Sequence, residues 1–308
     1  LLRSPSFSII FPSPFPMNIR LFRLQACAAT SLLLISACQG TAIDNSVSPS
    51  SSEKSDDSGD SIIASFPLSE TIMSASETYR LTDPADSSSV RFITLSTSVQ
   101  WPEALGKFKI DNLHDSIVGI TFGADAPKDI KKAIRQSVTR LDSYGLDGQV
   151  EKTDTIPASE EQSQYYVTRT LQLIECTQET VTYSSTFSEY LGGAHPNSGA
   201  TPFSFILASD RPVTFDFLFL PGAMETLKPM ILESIAASKS LSVDELKQAL
   251  LNSPDSITNN VYILNGTIAF HYNPYEILPY SYGPSEAFII PDDVISILTP
   301  EAIKLLID

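Results

Sequence analysis

The sequence predicts an α+β chain, with tandem antiparallel sheets and packed helices placed after a signal peptide and a flexible tether. Three observations carry that expectation. Ile130, Ala133, Ile134, Val138 and Leu141 repeat at the spacing of one helical stripe. Residues 164–190 are rich in Tyr, Val, Thr and Ile, and Asn265-Gly266 joins two further β-rich runs.

The first sixteen residues contain no methionine, so Met17 is the first plausible initiator. Residues 1–37 are expected to comprise upstream residues and a lipoprotein signal peptide. Arg20 and Arg23 precede an apolar run through Leu32, Leu33, Leu34 and Ile35, and small residues Ser36 and Ala37 precede Cys38. This is the charged start and short apolar stretch of a secretory signal. It is too short for a membrane span.

Ile35-Ser36-Ala37-Cys38 resembles the bacterial lipobox, which implies a diacylated Cys38 at the mature N-terminus and a durable membrane anchor. The alternative is an ordinary secretory signal with an incidental cysteine. Residues 38–65 are then the acylated cysteine and a disordered tether, because a Ser- and Asp-rich stretch cannot bury enough apolar surface to offset its ordering entropy.

The chain has 36 acids against 20 lysines and arginines, a formal net charge of −16. Loss of residues 1–37 removes Arg3, Arg20 and Arg23 and no acid, which moves the charge to −19. Such a surface repels nucleic acid and suits a basic partner. Cys27 leaves with the signal and Cys38 is acylated, so Cys176 has no partner for an intramolecular disulfide. Stability must come from a core.

Two domains are expected after the tether, an N-terminal α+β domain over 66–198 and a C-terminal one over 199–308. In the first, residues 90–99 alternate as a strand that Trp101-Pro102 ends, a weak helix covers 112–118, and the stripe above marks a helix over 127–142. Residues 164–190 read as two antiparallel strands parted near Thr177-Gln178. In the second, strands are expected at 201–208 and 212–219, with Ser209-Asp210-Arg211-Pro212 as their turn.

Leu227, Met230, Ile231 and Ile235 then suggest a helix, with Pro229 in its first turn or kinking it. Ser242-Val243-Asp244-Glu245 is a capping-box pattern opening a short helix. A two-residue Asn265-Gly266 turn pairs Leu264 with Thr267 and Val261 with Phe270, which puts Val261, Ile263, Ile268 and Phe270 on the core face and His271 opposite. A strand at 287–290 and a helix over 292–306 interrupted at Pro300 complete the inventory. No fixed-period repeat is present.

Three segments taken together resemble a known family: Tyr190-Leu191-Gly192-Gly193-Ala194-His195-Pro196-Asn197, the apolar Phe215-Asp216-Phe217-Leu218-Phe219, and the run from Phe270 to Gly283 leading into Phe288-Ile289-Ile290-Pro291. The family is a bacterial envelope group in which a region like the non-catalytic N-terminal part of peptidoglycan deacetylases precedes a C-terminal domain of unknown function. The same pair forms the extracellular part of lysozyme-sensing anti-sigma factors. The resemblance implies a binding or sensing role rather than catalysis.

The candidate ligand-binding residues are His195, Tyr190, Tyr272, Tyr275, Glu276 and Tyr280. Tyrosines combine apolar area with a polar tip, as a sugar-stacking or protein-contact surface requires, or they cap the second core. His114, His195 and His271 supply no pair at metal-ligand spacing, so neither a metal nor another cofactor is expected. No G-x-S-x-G elbow is present, so no catalytic residue is assigned.

The function expected is non-catalytic binding of a lysozyme-like basic protein or a peptidoglycan fragment by an envelope protein held through Cys38, facing the periplasm from the outer membrane. The alternatives are a glycan hydrolase using His195 with Glu276, or Glu189 with Glu276, and a purely structural module.

Overall fold

The computed structural model describes residues 67–82, 89–141, 144, 149–158, 165–251 and 260–307. The expected signal peptide, Cys38 and the tether lie outside them. Among the described residues no helix is long and apolar enough to cross a membrane.

The chain is α+β, built on a seven-stranded and a three-stranded sheet. β1 (Leu68–Thr82) and β2 (Val90–Leu105) pair antiparallel along their lengths. Trp101-Pro102 was expected to end β2, yet the strand continues to Leu105. Proline cannot donate to a ladder, but Pro102 faces Glu70 where the register slips between Ser69 and Glu70, and that irregularity accommodates it. β1 itself was not anticipated, since apart from Ile72 its exposed positions are serines and a threonine.

Two helices follow, α1 (Asp111–Phe122) and α2 (Ile130–Thr139), the latter capped by the Asp129 carboxylate accepting from the Lys132 amide. β3 (Gln149–Thr153) pairs with the outer side of β1, and β4 (Tyr165–Cys176) lies parallel to β2. Only a long crossover can connect parallel neighbours, and the two helices occupy it. The first sheet is therefore mixed, where an antiparallel one was expected. β5 (Thr180–Tyr190), β6 (Asn197–Ile206) and the short β7 (Arg211–Pro212) extend it in the order β3-β1-β2-β4-β5-β6-β7. The boundary expected at 198/199 falls inside β6.

Alternate residues of these strands, among them Val99, Leu171, Tyr183 and Phe205, bury against Leu113, Ile117 and Ile134 of the helices. The other face is half-exposed and rich in hydroxyls. Thr78 bonds Thr94 across one strand pair, Ser96 bonds Thr168 across another, and Thr170 bonds Thr186 across a third.

The second half begins with a departure from expectation. Residues 212–219 were read as a strand, but Phe215–Leu218 forms a helical turn, α3, because the Thr214 hydroxyl accepts from the Phe217 amide and starts a helix there. α4 (Met224–Ser238) holds Pro229 in its interior rather than its first turn, and α5 (Val243–Ala249) opens on the Ser242–Glu245 capping box. β8 (Val261–Leu264) and β9 (Thr267–Tyr272) form the expected hairpin in the expected register, with φ of 51° at Asn265 and 68° at Gly266.

β10 (Ser285–Ile289) completes the order β10-β9-β8. A 3-10 segment (Pro291–Ile297) and α6 (Pro300–Leu306) end the chain's described part. Ile263, Ile268 and Phe270 face a core with Leu227, Ile231 and Ile235 of α4. Tyr262, Ala269 and His271, on the opposite face, are buried as well.

Side chains close the strand edges of this half. The Ile263 amide donates to the Ser204 hydroxyl at 2.8 Å, and its carbonyl accepts from the Thr182 hydroxyl at 2.9 Å. Both hydroxyls are fully buried, so they satisfy the outward backbone groups of β8 and fasten it to β5 and β6. On the far edge the Phe288 amide donates to the Ser234 hydroxyl of α4 at 2.9 Å.

Candidate functional site

The turn between β5 and β6 carries His195. Gly192 and Gly193 have φ of 99° and 112°, which a residue with a Cβ rarely adopts, and the Tyr190 hydroxyl closes the turn by donating to the Gly193 carbonyl. The exposed His195 ring lies flat on Tyr280, with centroids 3.9 Å apart and planes 15° apart. Tyr275 completes a triangle, 6.3 Å from His195 and 5.7 Å from Tyr280.

Hydrogen bonding assigns the His195 tautomer. Nδ1 sits 2.8 Å from the Pro196 carbonyl and must donate, which leaves Nε2 to accept from the Tyr275 hydroxyl at 3.3 Å in the neutral ring. Tyr275 has a φ of 69°, an outlier for a bulky residue, and it is 55% exposed. The bond from its amide to the Leu278 carbonyl holds that conformation. The fold thus strains its backbone to present an aromatic ring to solvent.

Asn273 brings the two halves of this cluster together. Its Oδ1 accepts from the Ala200 amide at 2.6 Å, and its Nδ2 donates to the Ala200 carbonyl at 3.0 Å. A side-chain amide therefore takes the place of a neighbouring strand's peptide group on β6. A Cβ at Gly199 would lie 3.0 Å from that Oδ1 and 2.6 Å from the Phe187 ring, so glycine is what lets the loop approach. The Glu276 carboxylate accepts from the Asn273 amide at 2.8 Å.

His271 is buried beside this joint, with Nδ1 3.3 Å from Glu286 and Nε2 3.2 Å from Asn273 Oδ1. Both partners are acceptors, and a neutral ring can serve only one. Lys239 donates to the Tyr282 and Pro284 carbonyls at 2.7 Å each and pins the loop's other end. Burial pulls its amine below the usual lysine range, while Glu286 acts in the opposite sense.

The sequence candidates therefore separate. His195, Tyr275 and Tyr280 converge at the surface. Tyr190 stands beside them, holding the turn and packing near Tyr165 and Tyr166 with centroids 6.3 Å away in each case. Tyr272 does not join them, because its ring is fully buried in the second core. Glu276 is spent on its own loop, and Glu189 accepts from Asn197.

Sequence reasoning missed Asn273, Tyr165 and Arg91, whose guanidinium donates to the Tyr165 hydroxyl at 2.7 Å. Asn273-Pro274 reads as a turn signal; nothing local reveals its match to Ala200. His114 is structural, stacked on Trp101 at 4.1 Å and 2.7 Å from the Pro102 carbonyl.

Among the described residues no group of three His, Cys, Asp or Glu could hold a metal ion. Among the described residues no serine hydroxyl or cysteine thiol is hydrogen-bonded to His114, His195 or His271. Burial, with the nearby Glu70 and Glu175 charges, pushes the Cys176 thiol up to about 11, which leaves it protonated near neutrality.

The α+β fold thus presents an exposed aromatic cluster beside a pinned loop. Residues 216–291 match the DUF3298 family, described as a protein of unknown function. The fold is shared with a DUF3298 family member from Bacteroides fragilis, at 23% identity and a TM-score of 0.57 over 77% of this chain and 96% of that one. A DUF3298 family protein from Pseudomonas aeruginosa gives 15% identity and a TM-score of 0.47 over the same shares.

A stretch of 103 residues is 29% identical to Esterase Rv3036c of Mycobacterium tuberculosis, covering 33% of this chain and 44% of that protein. The chain thus spans less than half the length of that relative.

Proposed function

We propose that this is a lipid-anchored envelope protein whose folded part binds a ligand through the His195–Tyr275–Tyr280 surface without turning it over. The observation that carries this reading is Tyr275, a strained and exposed aromatic residue stacked into a cluster that two separate parts of the chain build. Stacked rings with polar tips suit the faces of sugar rings and the side chains of a protein partner. The ligand is a peptidoglycan fragment or a basic, lysozyme-like protein, and the net charge of −16 favours a cationic partner.

Anchoring rests on the lipobox-like Ile35-Ser36-Ala37-Cys38, and Gln39, which does not resemble an aspartate retention signal, is what supports the outer over the inner membrane. Cys38→Ser is expected to release the protein from the membrane fraction of expressing cells. Continued retention would contradict the anchor.

Titration of the purified chain with muropeptides and with lysozyme tests the binding reading. Saturable binding that weakens about two- to tenfold in His195→Ala is expected, since one aromatic stack contributes roughly 0.5–1.5 kcal/mol. Failure of both probes to bind would overturn it.

Hydrolysis is the second reading, favoured by the similarity to Esterase Rv3036c. A panel of p-nitrophenyl esters separates the two. Turnover that disappears in His195→Ala, with the fold retained, would favour hydrolysis over simple binding.

A further inference from the structure

We propose that the outer edge of β1, from Leu68 to Glu77, accepts an extended basic segment of another protein as an added strand. β3 pairs with β1 only from Thr78 to Thr82. Among the described residues no strand pairs with the outer side of the ten residues before it, an edge about 33 Å long at strand spacing. Every second residue there directs its amide and carbonyl outward, which is the arrangement that strand addition uses.

The rest of the fold shows how this protein treats edges. Ser204 and Thr182 satisfy Ile263 on β8, Ser234 covers Phe288 on β10, and Asn273 covers Ala200 on β6. Among the described residues nothing gives β1 such a cover over Leu68–Glu77. Its sequence, LSETIMSASE, also lacks the lysines and prolines that commonly guard an open edge, and its one irregularity lies at the extreme end, between Ser69 and Glu70. Ile72, at the middle, is 72% exposed.

Side-chain chemistry specifies the occupant. Met73 and Ala75 are half-buried against the helix-covered core, so an incoming strand that alternates apolar residues would extend that core over its own. Glu77 is already paired with Lys152 of β3 and Glu70 accepts from the Tyr183 hydroxyl at 3.2 Å, so the charge that selects lysine or arginine at the remaining positions is that of the whole chain, −16 net, with no basic residue within Leu68–Glu77 to oppose it. A second copy of this chain would bring two strongly acidic chains together.

Hydrogen exchange on the full-length protein tests this, with a ten-residue peptide alternating valine with lysine and threonine as the probe. Slower exchange confined to Leu68–Glu77 on peptide addition is expected. Binding should fall about tenfold or more when alternate peptide nitrogens are methylated, and in Ile72→Lys, which puts a guarding charge on the edge.

No protection of these amides at saturating peptide would overturn the proposal. So would equal binding of the methylated peptide, which indicates charge attraction alone. Protection of the outward-facing amides, those not bonded to β2, in the absence of peptide would also overturn it, pointing to a second copy if sedimentation shows a dimer and to another part of this chain if it shows a monomer.

Discussion

At the residue scale, the amide of Asn273 stands where a peptide group of a neighbouring strand would stand. Both its atoms bond Ala200, and through that joint the tyrosine loop meets the turn of His195. Asn273→Ala leaves the Ala200 amide and carbonyl without these partners, and urea unfolding should show a loss of about 1–3 kcal/mol. Cys176 supplies a pH test. Its folded value, about 11, lies above the ordinary 9.0, so its contribution is fully present below pH 9 and disappears as pH rises through 11. Stability should fall across that window, and Cys176→Ala should flatten this part of the curve. Iodoacetamide should label the native thiol slowly at pH 8 and quickly in urea.

At the element scale, the buried Thr182–Ser204 hydroxyl pair ties one sheet to the edge of the other. Ser204→Ala strands the Ile263 amide in a dry setting, a cost of about 1–3 kcal/mol in a urea titration. Elements governed by local chemistry were legible in sequence: the Asn265-Gly266 hairpin with its register, the Ser242 capping box, and the stripe of α2. β1 was not, because a strand with one polar face and one half-buried face has too little contrast to stand out. Residues 215–218 misled because aromatic content suggested a strand, whereas the Thr214 cap selects a helical turn. The parallel pairing of β2 with β4 depends on where a crossover packs, which no window of sequence contains.

At the scale of the whole molecule, the candidate surface was half legible. The glycine turn, His195, Tyr275 and Tyr280 could be named because their residue types carry recognisable chemistry. Of the two readings open for Tyr272, ligand contact and the second core, alternation along β9 selects the core, and Asn273 was passed over because its partner lies 73 residues away. The central claim is that the Tyr275 platform contacts the ligand while the fold stays independent of it. A paired titration of wild type and Tyr275→Ala with muropeptides and lysozyme, each variant also melted, is the most direct measurement. The account predicts about two- to tenfold weaker binding in a protein that still melts cooperatively, at most slightly lower, since alanine removes an exposed ring but keeps the backbone geometry. Undiminished affinity in a folded Tyr275→Ala protein would contradict it.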